Sequence, residues 1–288
     1  MPIHDVSYQR WQGRRTDVPP AFIMAMAQLR LAIRRRVVRI VLLLSGLFVV
    51  AFIGMLYVET TPEDSAVAVL KQVPFIRLDS TSMLRFLTWQ RMLHYVLCLA
   101  AGVGYIARDR RAKAVQLYLA RPVRVQDYIL GKGLPLAVLL SVTTWVPALI
   151  LILLKCLATA SLEWLTQEPW LPLSILAYSA LLVVSLVSLT LAISSLTTSP
   201  IMAAVMLASF FLFVPLLAEL FRALTRNDTW QVLSMQASLE QLCHWLFDAR
   251  LPHDFSPWSA LFALALLTTV CLLFLMRRVR AVDIVGGG

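Results

Sequence analysis

Six stretches of the chain are almost continuously apolar, near residues 38–58, 86–106, 129–154, 171–194, 200–221 and 258–276. A helix needs about 20 mostly apolar residues to cross a bilayer, and each stretch supplies them. Without water, every backbone N–H and C=O there must be paired within its own segment, so the stretches are predicted as helices. The fourth and fifth are separated only by "SSLTTSP", which predicts a tight hairpin with Pro200 opening the second helix. Pro135, Pro147 and Pro215 fall inside spans, where each removes a helix hydrogen bond and predicts a kink. The fold class is therefore all-α, a polytopic membrane protein with six transmembrane helices.

Between the spans the pattern changes period. In "PPAFIMAMAQLRLAIRRRVVRI", Phe22, Met26, Leu29, Ile33 and Val37 recur at helical spacing, with Arg30 and Arg34 off that stripe. This predicts an amphipathic helix in the inner interface, its cations near anionic lipid headgroups. Residues 222–257 are long for a connector, and Trp230, Leu233, Leu239, Leu242, Trp245 and Leu246 predict short interfacial helices there. The first apolar run begins near residue 40 and is too long for a cleaved leader's core of about 7–15 residues, so it reads as an uncleaved anchor. Residues 1–288 form one domain: an arm with the interfacial helix (1–37), six membrane helices (38–276) and a tail (277–288).

Composition agrees with that reading. Of 288 residues, 59% are hydrophobic and only 15% charged, with a mean hydropathy of +0.77. A soluble domain carries about 25% charged residues. The net charge of +10 does not point to nucleic acid, because the cations cluster at the ends of apolar stretches. Eighteen Lys and Arg lie on the side holding the termini and residues 107–132, against seven on the other, Arg91 lying within a span. By the positive-inside rule both termini are expected in the cytoplasm. Four scattered cysteines give neither a disulfide framework nor a zinc spacing.

Polar chemistry inside the spans is sparse. Arg91 and His94 sit about a turn apart in "LTWQRMLHYVL" and are the candidates for a substrate path, able to bind an anionic group near the outer leaflet. The alternative has Arg91 snorkelling to the headgroups and His94 bonding a neighbouring helix. Glu219 and Lys155 read as boundary residues at span ends. "LGKGLP" lacks the first glycine and the Ser or Thr of a nucleotide-binding loop, and neither HExxH nor a pair of intramembrane Asp is present. No catalytic or metal-binding residue is assigned, so any energy for work comes from another chain or from a gradient.

One basic segment interrupts the spans. "ARDRRAKAVQLYLARPVRVQDYILGK" predicts a short helix over its first half, ended by Pro122, with Asp127 in the first turn of the next helix. The order of Asp109, Arg110, Leu117, Tyr118, Leu119, Arg121, Pro122, Tyr128, Gly131 and Lys132 resembles the loop between spans 2 and 3 of ABC-2 type ABC-transporter permeases. The six-span layout and leading interfacial helix agree with that family over nearly the whole chain. The family often has a Ser after the Pro that caps the next helix, where this chain has Arg124 and Val125.

The resemblance implies that this segment is a cytoplasmic coupling helix docking on a separate ABC ATPase subunit. Asp109, Arg110, Arg111, Leu117, Tyr118 and Arg121 are then the candidate contacts. It further implies ATP and Mg bound by the ATPase and not by this chain, a second permease chain as homodimer or heterodimer partner, a bacterial inner membrane location, and a role as permease of an ATP-driven exporter. Two other classes compete. A non-transporting anchor or signalling subunit would also bind an ATPase, while a lipid-processing membrane enzyme would need clustered His, Asp or Glu. His4, His94, His244 and His253 are spread too widely for the latter.

Overall fold

The computed structural model describes residues 19–61, 79–114, 124–159, 166 and 168–285. Among these every regular element is helical: α1 (Pro20–Ile33), α2 (Arg36–Thr60), α3 (Ser80–Leu97), a π-helical turn (Cys98–Gly102), α4 (Gly104–Arg111), α5 (Val125–Thr143), α6 (Trp145–Thr159), α7 (Leu171–Leu196), α8 (Pro200–Thr225), a 3-10 turn (Asp228–Leu233), α9 (Met235–Leu246) and α10 (Pro257–Val285).

Five of these segments are long and apolar enough to cross a membrane: Arg36–Thr60, Val125–Thr159, Leu171–Leu196, Pro200–Thr225 and Pro257–Arg280. The sixth predicted span, 86–106, falls instead on α3, the π turn and α4 in succession. Its helical register changes at Cys98, and Arg85, Gln90, Arg91 and His94 dilute the apolar character of α3. The third span is one segment by length but breaks at Thr144, three residues before Pro147. Pro147 cannot donate to the carbonyl of Thr143, so the ladder is interrupted there. The hydroxyls of Thr143 and Thr144 bond back to Leu140 O at 3.0 and 2.8 Å.

The bundle is organised around α7. In its most apolar stretch 61% of residues are buried, against 22% in α2, 17% in α8 and 22% in α10. α7 touches α4 through α6, the π turn and α8 through α10. Its sequence suits that place, because small serines allow close helix approach. Ser188 and Ser195 donate to their own helix at Ser185 O and Ala192 O, 3.0 and 2.7 Å away, so buried hydroxyls are satisfied locally. The α7–α8 hairpin forms as predicted: α7 stops at Leu196, Pro200 starts α8, and the Ser199 hydroxyl accepts from Met202 N.

The leading helix packs through its small face. Ala21, Ala25 and Ala32 are buried, and α1 lies along α5, while Phe22, Ile23, Met26, Leu31 and Ile33 stay exposed beside the exposed Arg30 and Arg34. Of the predicted apolar stripe, only Leu29 turns partly inward against the core. The close seat needs Gly131, where an added Cβ would lie 2.8 Å from Met24 Cε and 3.1 Å from the backbone oxygen of Ala21. At the other end of the bundle, α9 is not a surface helix. Leu239, Leu242 and Cys243 enter the core, while Trp230, Leu233 and Trp245 remain exposed.

Two glycines should therefore respond in opposite directions to alanine. Gly131→Ala pushes on a backbone atom and is expected to cost about 1–3 kcal/mol. Gly54→Ala meets nothing within 4 Å and should gain up to about 1 kcal/mol of helix propensity. Thermal unfolding of the two variants in detergent measures the contrast, and equal shifts would contradict the close α1–α5 seat.

Candidate functional site

The basic segment leaves the bundle through α4 and returns through α5, and its two ends are tied together. Lys132 Nζ lies 2.6 Å from Asp109 Oδ2, and the Tyr128 hydroxyl donates to the same oxygen at 2.9 Å. Lys132 is 1% exposed and Tyr128 fully buried, so the pair is held out of water. Three residues of the family pattern, far apart in sequence, are thus one contact. Helix α5 begins just before it, where the Asp127 carboxylate accepts from Arg124 N at 3.3 Å. That carboxylate supplies, from inside the first turn, the terminal contact that neither Arg124 nor Val125 gives as a serine would.

The outgoing side is fixed by three more contacts. In the π turn, Val103 N bonds Cys98 O at 3.2 Å, and the return to α-helix leaves carbonyls out of register. Arg35, between α1 and α2, donates to Ala100 O at 2.7 Å and Ala101 O at 3.3 Å. Val103 has no side chain that could cap α4, and Ser194 of α7 does so from across the interface. Its hydroxyl accepts from Ile106 N and Ala107 N, both at 3.1 Å, and donates to Val103 O at 2.6 Å. Arg110 donates to Ser195 O at the end of α7. Gly102 permits this seat, since a Cβ there would lie 2.5 Å from Thr190 and 2.8 Å from Leu136.

The neck is crowded with cations. Burial and the positive charge of Arg108 hold the Arg35 guanidinium below its ordinary pKa. Of the six residues predicted to contact an ATPase, Asp109 and Arg110 turn into these internal contacts and Arg111 is exposed. Arg108 and Lys113 are exposed beside Arg111. Leu117, Tyr118 and Arg121 lie outside the described residues.

The candidate path residues are both buried at the opposite end. Arg91, 4% exposed, donates to Glu240 Oε2 at 3.2 Å and to Gln236 O at 3.4 Å, which joins α3 to α9. It does not reach out to headgroups. His94 is fully buried, with Nε2 3.0 Å from Thr143 Oγ1. The same hydroxyl lies 3.1 and 3.0 Å from the Leu139 and Leu140 carbonyls. Lys155 and Glu219 are likewise engaged: Lys155 pairs with Glu59 at 3.2 Å across α6 and α2, and Glu219 accepts from Arg222 and Gln231.

Ser194, Glu240, Gln231 and Gln236 escaped sequence reasoning. The signals were present but local: hydroxyls ending an apolar span in "LAISSLTTSP", and polar residues at helical spacing in "SMQASLEQL". Neither names its partner.

An all-helical bundle with several membrane-length helices, and a basic excursion locked at its neck, defines a multi-pass membrane protein of transport type. The family model described as ABC-2 family transporter protein matches residues 24–278, and the chain belongs to that family. Among curated proteins none matches the sequence.

If the neck is held by the buried ion pair, single and double changes should not add. Asp109→Asn leaves a buried ammonium without its counter-ion and should cost about 3–5 kcal/mol. Asp109→Asn with Lys132→Met should recover most of that loss in thermal unfolding, and a double variant as unstable as Asp109→Asn alone would count against the pair.

Proposed function

We propose that this chain is the permease subunit of an ATP-driven ABC exporter in a bacterial inner membrane, moving substrate with energy from ATP hydrolysed on a separate ATPase subunit. Membership of the ABC-2 family supports the class and the general type of partner. The observation that carries the coupling role is the neck, where Asp109 joins α4 to Tyr128 and Lys132 of α5 while Ser194 and Arg35 join the same region to α7 and the α1–α2 junction. A segment bonded to that many helices transmits a push on its tip into displacement of membrane helices, and a free loop does not.

In this reading α3, the π turn and α4 together make the sixth span, since 31 helical residues reach about 45 Å. Both termini then lie in the cytoplasm, and α1 is the interfacial helix with its exposed apolar residues in lipid. The exposed Arg108, Arg111 and Lys113, with Leu117, Tyr118 and Arg121 of the loop, face the ATPase, which holds ATP and Mg. A second permease chain completes the assembly. Asp109 and Arg110, placed among the contacts by resemblance, act instead as positioning residues behind that surface.

One observation favours a second reading, a membrane anchor or signalling subunit that binds an ATPase without moving solute. Arg91 and His94, the polar groups proposed for a path, are bonded to α9 and α5 within the chain.

Arg111→Ala with Tyr118→Ala and Arg121→Ala tests the docking surface. Co-purification with the cognate ATPase should fall at least about tenfold, with thermal unfolding of the permease unchanged. Retained co-purification would overturn the docking assignment. In vesicles of the intact wild-type complex, ATP-dependent flux supports the exporter, and ATPase activity without flux supports the anchor.

A further inference from the structure

The outer half of α8 and the segment running through the 3-10 turn into α9 enclose a cavity of about 450 Å3. One wall is apolar, built from Phe211, Pro215 and Leu216. The Phe211 ring also packs on Tyr95, with centroids 4.5 Å apart. Pro215 explains how α9 is anchored here. Without an N–H it leaves Phe211 O unpaired in the helix, and Gln236 Nε2 donates to that oxygen at 2.9 Å. One N–H of the Gln236 amide is thereby spent on the backbone.

The other wall is polar and carries the acceptors Glu219, Gln231 and Glu240. Gln231 is 9% exposed, and its Nε2 donates to Glu219 Oε2 at 2.9 Å. A carboxylate can only accept, so the amide orientation follows and Oε1 is the free end. Among the described residues Gln231 Oε1 has no hydrogen-bond partner, although it is buried and its residue lines the cavity. The Glu240 carboxylate, a third exposed, lines the same space while its Oε2 holds Arg91. His253 Nε2 is also buried without a partner there. Burial lowers the His253 imidazole from its ordinary pKa, so it is neutral at pH 7.

Charge points the same way. Glu219, Glu240 and Asp228 face two guanidiniums, Arg91 and Arg222, both already engaged in ion pairs with them. One negative charge is left over, beside an unpaired amide oxygen and aromatic surface. An anion would meet no free cation here, and a neutral apolar molecule would leave Gln231 Oε1 unsatisfied at the cost of a buried polar group.

The geometry points to a binding site for a primary ammonium carried on an apolar body, its N–H groups donating to Gln231 Oε1 and Glu240 and its hydrocarbon lying on Phe211, Pro215 and Leu216. The same chemistry is offered by a lipophilic amine and by the headgroup of an aminophospholipid. Recognition needs only this chain, so the site stands apart from the exporter reading and is tested without the ATPase.

The test uses the full chain in phosphatidylcholine nanodiscs with octylamine as probe, and octanol and octyltrimethylammonium as controls. Octylamine should bind saturably, octanol should partition without saturation, and the trimethyl compound, which has no N–H to donate, should bind more weakly. Gln231→Met keeps shape but removes the acceptor and should weaken octylamine at least about tenfold. Glu219→Gln, at the exposed rim, should weaken it less, which keeps the test decisive if Glu240→Gln disturbs Arg91 and fails to fold. Equal octylamine affinity for wild type and Gln231→Met, or saturable octanol binding, would overturn the proposal. Nanodiscs containing phosphatidylethanolamine separate the sources: competition with octylamine identifies the lipid headgroup, and undiminished octylamine binding identifies a free amine.

Discussion

A polar group buried away from water must find a partner, and in this protein that rule operates where helices break. Regular stretches satisfy themselves and need nothing from neighbours. At three interruptions a side chain from outside the helix completes the backbone: Arg35 at the π turn, Ser194 at the start of α4, Gln236 below Pro215. The breaks are therefore where the helices are joined. Apolar packing alone does little to hold membrane helices together, since lipid tails are as apolar as leucine.

This places cohesion at the two ends of the bundle. At the basic end, contacts from α1–α2, α5 and α7 converge on α4 within one short region, and the Asp109–Lys132 pair closes the excursion between them. At the other end, Arg91–Glu240 and Lys155–Glu59 tie α3 to α9 and α2 to α6. Between them, Ser45–Gln90 joins α2 to α3 and His94–Thr143 joins α3 to α5, among α7 serines and apolar side chains that let helices approach closely.

Much of the fold could be read from residue order because membrane spans depend on length and composition, which are local. The α7–α8 hairpin, the interruption near Pro147 and the leading helix followed from this. The span around 86–106 did not appear as a single apolar helix, because its polar residues Gln90, Arg91 and His94 bond to α2, α9 and α5 and hydropathy does not register a partner. The site was legible to a lesser degree. Asp109, Tyr128 and Lys132 stood out by family pattern, but their order along the chain gave no sign that they meet, and Asp109 looked like a surface contact. Glu240 carried only a local signal and Gln231 none, since a polar residue in an amphipathic segment reads as solvated.

From residue order alone came the class of molecule, the count of long apolar helices to within one, the side on which cations gather, and the absence of a nucleotide-binding loop. These rest on sums over neighbours in sequence. Folding settled which charges are neutralised, which carbonyls are capped, where Arg91 points, and which acceptors share the outer cavity. Those outcomes depend on pairs separated by tens of residues, and electrostatic and hydrogen-bond energies fall off within a few ångströms, so only the packed chain brings them into range.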